Sequence, residues 1–205
     1  MISNNLGCIF VHIQKTGGSS VRQALSLPQN EPGKHRFATE LRARCERDVW
    51  NSYFKFAFVR NPWDRLVSWW AMIARNAQAA SEGRQQVNGF QRFILSRACT
   101  FEEFLLNCDE EYHDLDGSKW IFRNQIEYLS DERGELLVDF VGRFEQLDEH
   151  FAFVASRLQL PGSGIPHLNR SPRARYTDYY TSKLADLVGE RYAKDVAAFG
   201  YEFGK

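Results

Sequence analysis

The chain has 205 residues, and its 26 lysines and arginines balance 26 aspartates and glutamates. That length suits one domain with a substantial core, and the neutral balance excludes bulk attraction to nucleic acid or to an anionic membrane surface. No apolar run approaches the ~18 residues of a membrane span and no leader-like segment opens the chain, so a soluble, cytoplasmic protein is expected.

The first apolar run, Cys8, Ile9, Phe10, Val11 and Ile13, is rich in β-branched and aromatic residues and predicts a strand. It stops at Gln14, Lys15, Thr16, Gly17, Gly18, Ser19 and Ser20, after which Val21, Ala24 and Leu25 start a helical pattern. Such a glycine turn between strand and helix suits an anion: glycines let the backbone come close, and the first helical N–H groups lack internal partners. Lys15 adds a charge, and Thr16, Ser19 and Ser20 add hydroxyls. The plainer alternative is a crossover turn with Ser19 capping the helix and Lys15 in solvent. Lysine follows the strand too closely for the loop to wrap a nucleoside triphosphate, whereas a terminal phosphate bearing one more tetrahedral group would fit.

Residues 28–33 form a loop and 39–45 have helical character, which leaves His35 where a loop re-enters structure, ordinarily a surface position. Residues 53–59 predict a second strand. Asn61 then suits an N-cap and Pro62 a first helical position, so Arg60 stands at the carboxyl end of a strand and Ser68 within the next helix. Ligands of open α/β sheets collect at that rim, and Arg60 can fork onto a phosphate. Alternatively Arg60 pairs with Asp64 and Arg65 is a surface charge; Trp63, Trp69 and Trp70 are expected in the core.

Residues 76–127 suggest short helices between loops, an irregular insertion expected to cover the acceptor. Its acidic patch (Asp109, Glu110, Glu111, Asp114, Asp116) lacks the ligand alternation of a calcium loop and is expected to be solvated. Beyond it come a short strand, a turn at 131–134, a strand at 136–141 with Asp139 structural, and a helix at 146–158. The basic loop 162–175 is either a linker or a cover over a nucleotide, with Arg170, Ser171 and Arg173 at its phosphates and His167 bracing it, and a helical tail spans 177–199. The four cysteines show no CxxC spacing and are expected to be reduced.

Four segments, 10–20 (FVHIQKTGGSS), 56–62 (FAFVRNP) with Arg65 and Ser68, 141–145 (VGRFE) and 166–171 (PHLNRS), together resemble the carbohydrate sulfotransferase family. They stand in its usual order nearly end to end, with only the middle segment unmatched. The resemblance implies a bacterial-type relative of the heparan and chondroitin enzymes, forming one domain over 1–205. The implied fold is a P-loop-like three-layer α/β/α arrangement with a mainly parallel sheet. The implied donor is 3'-phosphoadenosine 5'-phosphosulfate, released as adenosine 3',5'-bisphosphate, with no metal. Lys15, Thr16, Gly17, Gly18, Ser19 and Ser20 would hold its 5'-phosphosulfate, and Arg60 and Ser68 its 3'-phosphate. The implied acceptor is a hydroxyl, on a glycan, and the implied base is a histidine between the first two motifs, where His35 is the only candidate. Two alternatives stay open: a nucleoside-triphosphate kinase using Lys15 with magnesium at Asp139, and a nucleotide- or glycan-binding module without activity.

Overall fold

In the computed structural model, which describes residues 1–28, 31–114, 117–160, 164–166 and 174–205, the chain divides into two compact units. The first takes Met1–Asn61 and Gln125–Arg170, the second Pro62–Asn124 and Ser171–Lys205.

The first unit opens with β1 (Ile2–Ser3), β2 (Cys8–Val11), α1 (Gly18–Ala24), α2 (Ala38–Ala43), α3 (Arg47–Ser52) and β3 (Phe54–Val59). The second unit begins with α4 (Pro62–Ser81), α5 (Gly89–Leu95), α6 (Phe101–Asn107) and the hairpin β4 (Tyr112–Asp114) with β5 (Gly117–Lys119). The chain then supplies β6 (Phe140–Arg143) and α7 (Leu147–Arg157) to the first unit, and α8 (Ser182–Arg191) and α9 (Ala193–Phe199) to the second. Among the described residues no helix is long and apolar enough to cross a membrane.

The expected α/β class holds: a mostly parallel central sheet is flanked by helices. Its order is β1-β2-β3-β6, with β2, β3 and β6 parallel and β1 antiparallel at one edge. All four residues of β2 are buried, and so are the last five of β3. Strands covered on both faces need no polar alternation, which is why β2 is apolar throughout and β3 is apolar apart from Lys55. Phe10 stacks on Phe56 with centroids 5.1 Å apart, and Phe56 meets Phe58 edge-on. Val21 and Leu25 of the first helical segment close over this layer, joined by Leu147, Phe151, Val154 and Ala155 from α7. The α7 residues recur at intervals of four, three and one, the stripe that one helical face buries. Each of the leucine, valine and phenylalanine side chains contributes roughly 1.5–3 kcal/mol relative to exposure.

Several local expectations shift by a few residues. The strand expected over 136–141 is confined to β6, preceded by a turn at Asp131 whose carboxylate accepts from the N–H groups of Arg133 and Glu135. In place of the short strand near 127 stands a 3-10 turn, Ile126–Tyr128. The helical tail is interrupted at Tyr192, whose hydroxyl is pulled inward to the Ile121 carbonyl.

Within the second unit, Trp63 and Trp69 are buried as expected, and Trp63 donates to the Ala185 carbonyl at 2.8 Å. Trp70 is half-buried against Phe104. Arg65 is no surface charge but wholly buried, donating to the Arg123 carbonyl and the Tyr192 hydroxyl, each at 3.0 Å. The acidic patch is not simply solvated either: Asp109 pairs with Arg191, Glu110 with Arg97 and Glu111 with Arg123. Asp116 lies outside the described residues.

Candidate active site

Parallel pairing brings the carboxyl ends of β2, β3 and β6 to one rim, with Val11 opposite Ala57 and Val59 opposite Arg143. The segments that leave this rim carry the first three motifs. Residues 12–17 lead from β2 into α1, Arg60 and Asn61 follow β3, and the 3-10 turn Phe144–Gln146 follows β6.

The first segment makes a sharp turn. Lys15 and Gly17 both have left-handed backbones, φ 69° and 83°. The conformation suits glycine and costs a lysine roughly 1 kcal/mol. Gly17 is also closely covered: a Cβ there would come within 3.0 Å of the Phe144 ring and 3.2 Å of Leu147. Gly17 itself is the N-cap of α1, and Ser19 stands inside the helix, which corrects the capping role considered for it. Thr16 is buried and its hydroxyl donates to the Ile13 carbonyl at 3.0 Å, so toward an anion it can offer its N–H. Gly18 and Ser20 are buried, while Lys15 and Ser19 are partly exposed.

Arg60, 5% exposed, is held on every side. Its N–H donates to Gln125 Oε1 at 2.9 Å, and Gln125 Nε2 donates back to its carbonyl at 2.7 Å. The carboxamide thus continues the sheet by imitating one peptide of a neighbouring strand. Next in the chain, the Asn61 N–H donates to Glu145 Oε1 at 2.6 Å. The Arg60 guanidinium lies 3.9 Å over the Phe144 ring, and its Nη1 donates to the Lys15 carbonyl at 3.1 Å. Two motifs 45 residues apart therefore meet directly, and the third motif supports both through Phe144 and Glu145, with Leu147 of α7 beside them.

His35 reaches the same rim. Its Nδ1 lies 2.9 Å from the carbonyl of His12, the residue that follows β2, and its ring meets the His12 ring at 4.4 Å between centroids. Close by, Gln14 Oε1 accepts from the buried Tyr128 hydroxyl at 2.8 Å, and Phe37 stacks on Tyr128 at 4.6 Å. Sequence reasoning brought out Lys15, Arg60 and His35 but gave no role to His12, Gln125 or Tyr128. For Gln125 no local signal existed, whereas a histidine inside an apolar strand run was a signal for His12.

Asp139 stands elsewhere. It precedes β6, so it lies at the amino end of the sheet, four residues (roughly 13 Å) from the rim. There its carboxylate accepts from Lys55 N–H at 2.7 Å and pairs with Lys55 Nζ at 3.0 Å. The structural role expected for it fits these contacts, and a metal-holding role beside Lys15 does not. Ser68 is partly buried on α4, in the second unit. Arg170, Ser171, Arg173 and His167 lie outside the described residues. The four cysteines are free, and burial pushes the Cys8 and Cys108 thiols up to about 11, which leaves them unreactive at neutral pH.

Comparison with known proteins agrees with this arrangement of motifs. No solved structure matches the chain. A protein of Archaeoglobus fulgidus described only as uncharacterized is 27% identical over 124 residues, 59% of this chain and 80% of that protein. The model of the Sulfotransferase family matches residues 1–202, a span that takes in the lysine turn, the arginine rim and the segment after β6. With nearly every residue inside that match, the chain belongs to the Sulfotransferase family.

Proposed function

We propose that the protein moves the sulfuryl group of 3'-phosphoadenosine 5'-phosphosulfate to a hydroxyl of a carbohydrate acceptor, with His35 as the base. One observation carries this: the 3.1 Å contact between the Arg60 guanidinium and the Lys15 carbonyl, which puts a lysine turn and a buried arginine on one rim. Together they offer two positive charges and a bend of backbone N–H groups to a nucleotide with phosphate at both ends.

The donor set fits the donor's chemistry. Lys15 and the N–H groups of residues 16–20 would hold the 5'-phosphosulfate, and Arg60 the 3'-phosphate. In the transfer, the acceptor oxygen bonds to sulfur as its proton passes to His35. The bond from sulfur to the bridging oxygen breaks, and that oxygen departs with the electron pair on the 5'-phosphate. Charge grows on the bridging oxygen, where a fixed ammonium and fixed dipoles are most effective because they need not reorganise. A histidine titrates near neutrality, which suits it to accept the hydroxyl proton. The mechanism calls for no metal, since Lys15 supplies the neutralising charge.

The test is incubation with donor labelled in its sulfate and a panel of saccharides, small alcohols and a tyrosine peptide, beside a heat-shift series. Label on a saccharide hydroxyl and stabilisation by adenosine 3',5'-bisphosphate are expected. Magnesium-dependent phosphate transfer from ATP, or bisphosphate binding with no transfer to any acceptor, would overturn the proposal in favour of a kinase or a binding module respectively.

A further inference from the structure

His12 is 4% exposed and contributes no donor to the nucleotide and no base to the transfer proposed above. Its ring stacks on Phe10 at 5.3 Å and 17°, lies directly against Gly18, and meets the His35 ring at a tilt of 51°. Its own Nδ1 is buried without a hydrogen-bond partner among the described residues. An unsatisfied buried nitrogen costs roughly 1–3 kcal/mol, a cost that folds seldom retain without a use for the residue. Meanwhile the His12 carbonyl lies 2.9 Å from His35 Nδ1. A carbonyl only accepts, so Nδ1 must carry the hydrogen, and the lone pair of the neutral ring falls on Nε2.

We propose that His12 is a positioning residue for the base: its carbonyl fixes His35 as the Nδ1–H tautomer, and its ring sets the tilt of that imidazole, making Nε2 the atom that takes the acceptor's proton. The catalytic half of this rests on the function proposed above, whereas the tautomer stands without it. Burial first, then the nearby charges of His35, Arg22, Lys34 and the Met1 amino group, hold His12 well below the usual 6.5. It stays neutral and so puts no like charge beside the imidazolium that forms on His35. As the acceptor O–H bond breaks, the proton goes to Nε2, the oxygen bonds to sulfur, and the electron pair leaves on the 5'-phosphate, while Nδ1–H keeps its bond to the His12 carbonyl.

The experiment uses the full chain with 15N-labelled histidine and reads ring tautomers by long-range 1H–15N correlation at about pH 8, above the ordinary histidine pKa of about 6.5. His35→Gln identifies the His35 signals. A protonated Nδ1 with a pyridine-like Nε2 is expected, and a predominantly Nε2–H ring would overturn the proposal. For the ring of His12, His12→Ala is expected to lower kcat about 10- to 100-fold with unchanged affinity for adenosine 3',5'-bisphosphate, as a slightly misplaced base does, and His12→Phe to recover most of the loss. Equal turnover in the alanine variant and the wild type would remove the ring's role. If His12→Ala fails to fold, the wild-type tautomer still decides. Full turnover by His35→Gln with the tautomer as stated would sink His35 as the base and leave the tautomer intact.

Discussion

Replacing Gly18 by alanine tests how tightly the lysine turn is built on His12. A Cβ at this position would overlap His12 Nε2 and Cδ2 and come 2.9 Å from Cε1. To restore the roughly 3.5 Å of ordinary contact the ring must retreat by about 1–2 Å. It has little room to do so, being stacked on Phe10 behind and set against His35 at the side. Overpacking of this kind costs about 1–3 kcal/mol, while alanine in a helix recovers up to about 1 kcal/mol. The packing loss should win, lowering stability by about 1–2 kcal/mol and, for a chain of this size, the melting temperature by about 2–8 °C. Turnover should fall further than stability, because the displaced ring carries His35 with it. Urea unfolding and thermal melts give the first quantity, and kcat with bisphosphate affinity gives the second. A Gly18→Ala protein as stable and as active as the wild type would refute the close packing on which this rests.

Lys15→Ala should abolish turnover, and His35→Ala should lower kcat by about 100-fold or more while bisphosphate affinity, measured by calorimetry, changes little. His12 makes stability depend on pH: with its folded value lowered, its contribution is complete above the unfolded value of 6.5 and is lost as pH falls from there toward the folded value. Between about pH 7.5 and 5.5 the loss is up to about 1.4 kcal/mol, read by urea titration as the difference between wild type and His12→Phe. Taking that difference cancels the Met1 amino group, which burial lowers to about 6. Asp139→Ala removes the carboxylate that accepts from Lys55 and should cost about 1–2 kcal/mol in chemical unfolding with turnover kept, whereas a metal-holding aspartate would lose turnover. Gln125→Leu strips both carboxamide bonds from Arg60 and should cost about 1–3 kcal/mol while weakening bisphosphate binding; unchanged binding would mean that Arg60 needs no such clamp.

What the sequence determined by itself was set by short-range physics. The β-branched and aromatic residues at 8–13 and 53–59 predict strands, the paired glycines after Lys15 predict a tight turn, and Pro62 opens α4 where proline is tolerated best. Tertiary structure alone decided which distant partners these elements meet. The carboxamide of Gln125 completes the peptide of Arg60 across 65 residues, and no spacing announces such a pair. Asp139 was the carboxylate that a kinase reading would give to magnesium beside Lys15, but parallel register put it at the far end of the sheet beside Lys55. His12 stood out as a histidine inside an apolar run, but only the fold set its carbonyl against His35 and its ring beneath Gly18. Periodicity and turn chemistry are written along the chain, whereas the choice of a hydrogen-bond or packing partner depends on strand register and layer packing, which exist only once the chain has closed on itself.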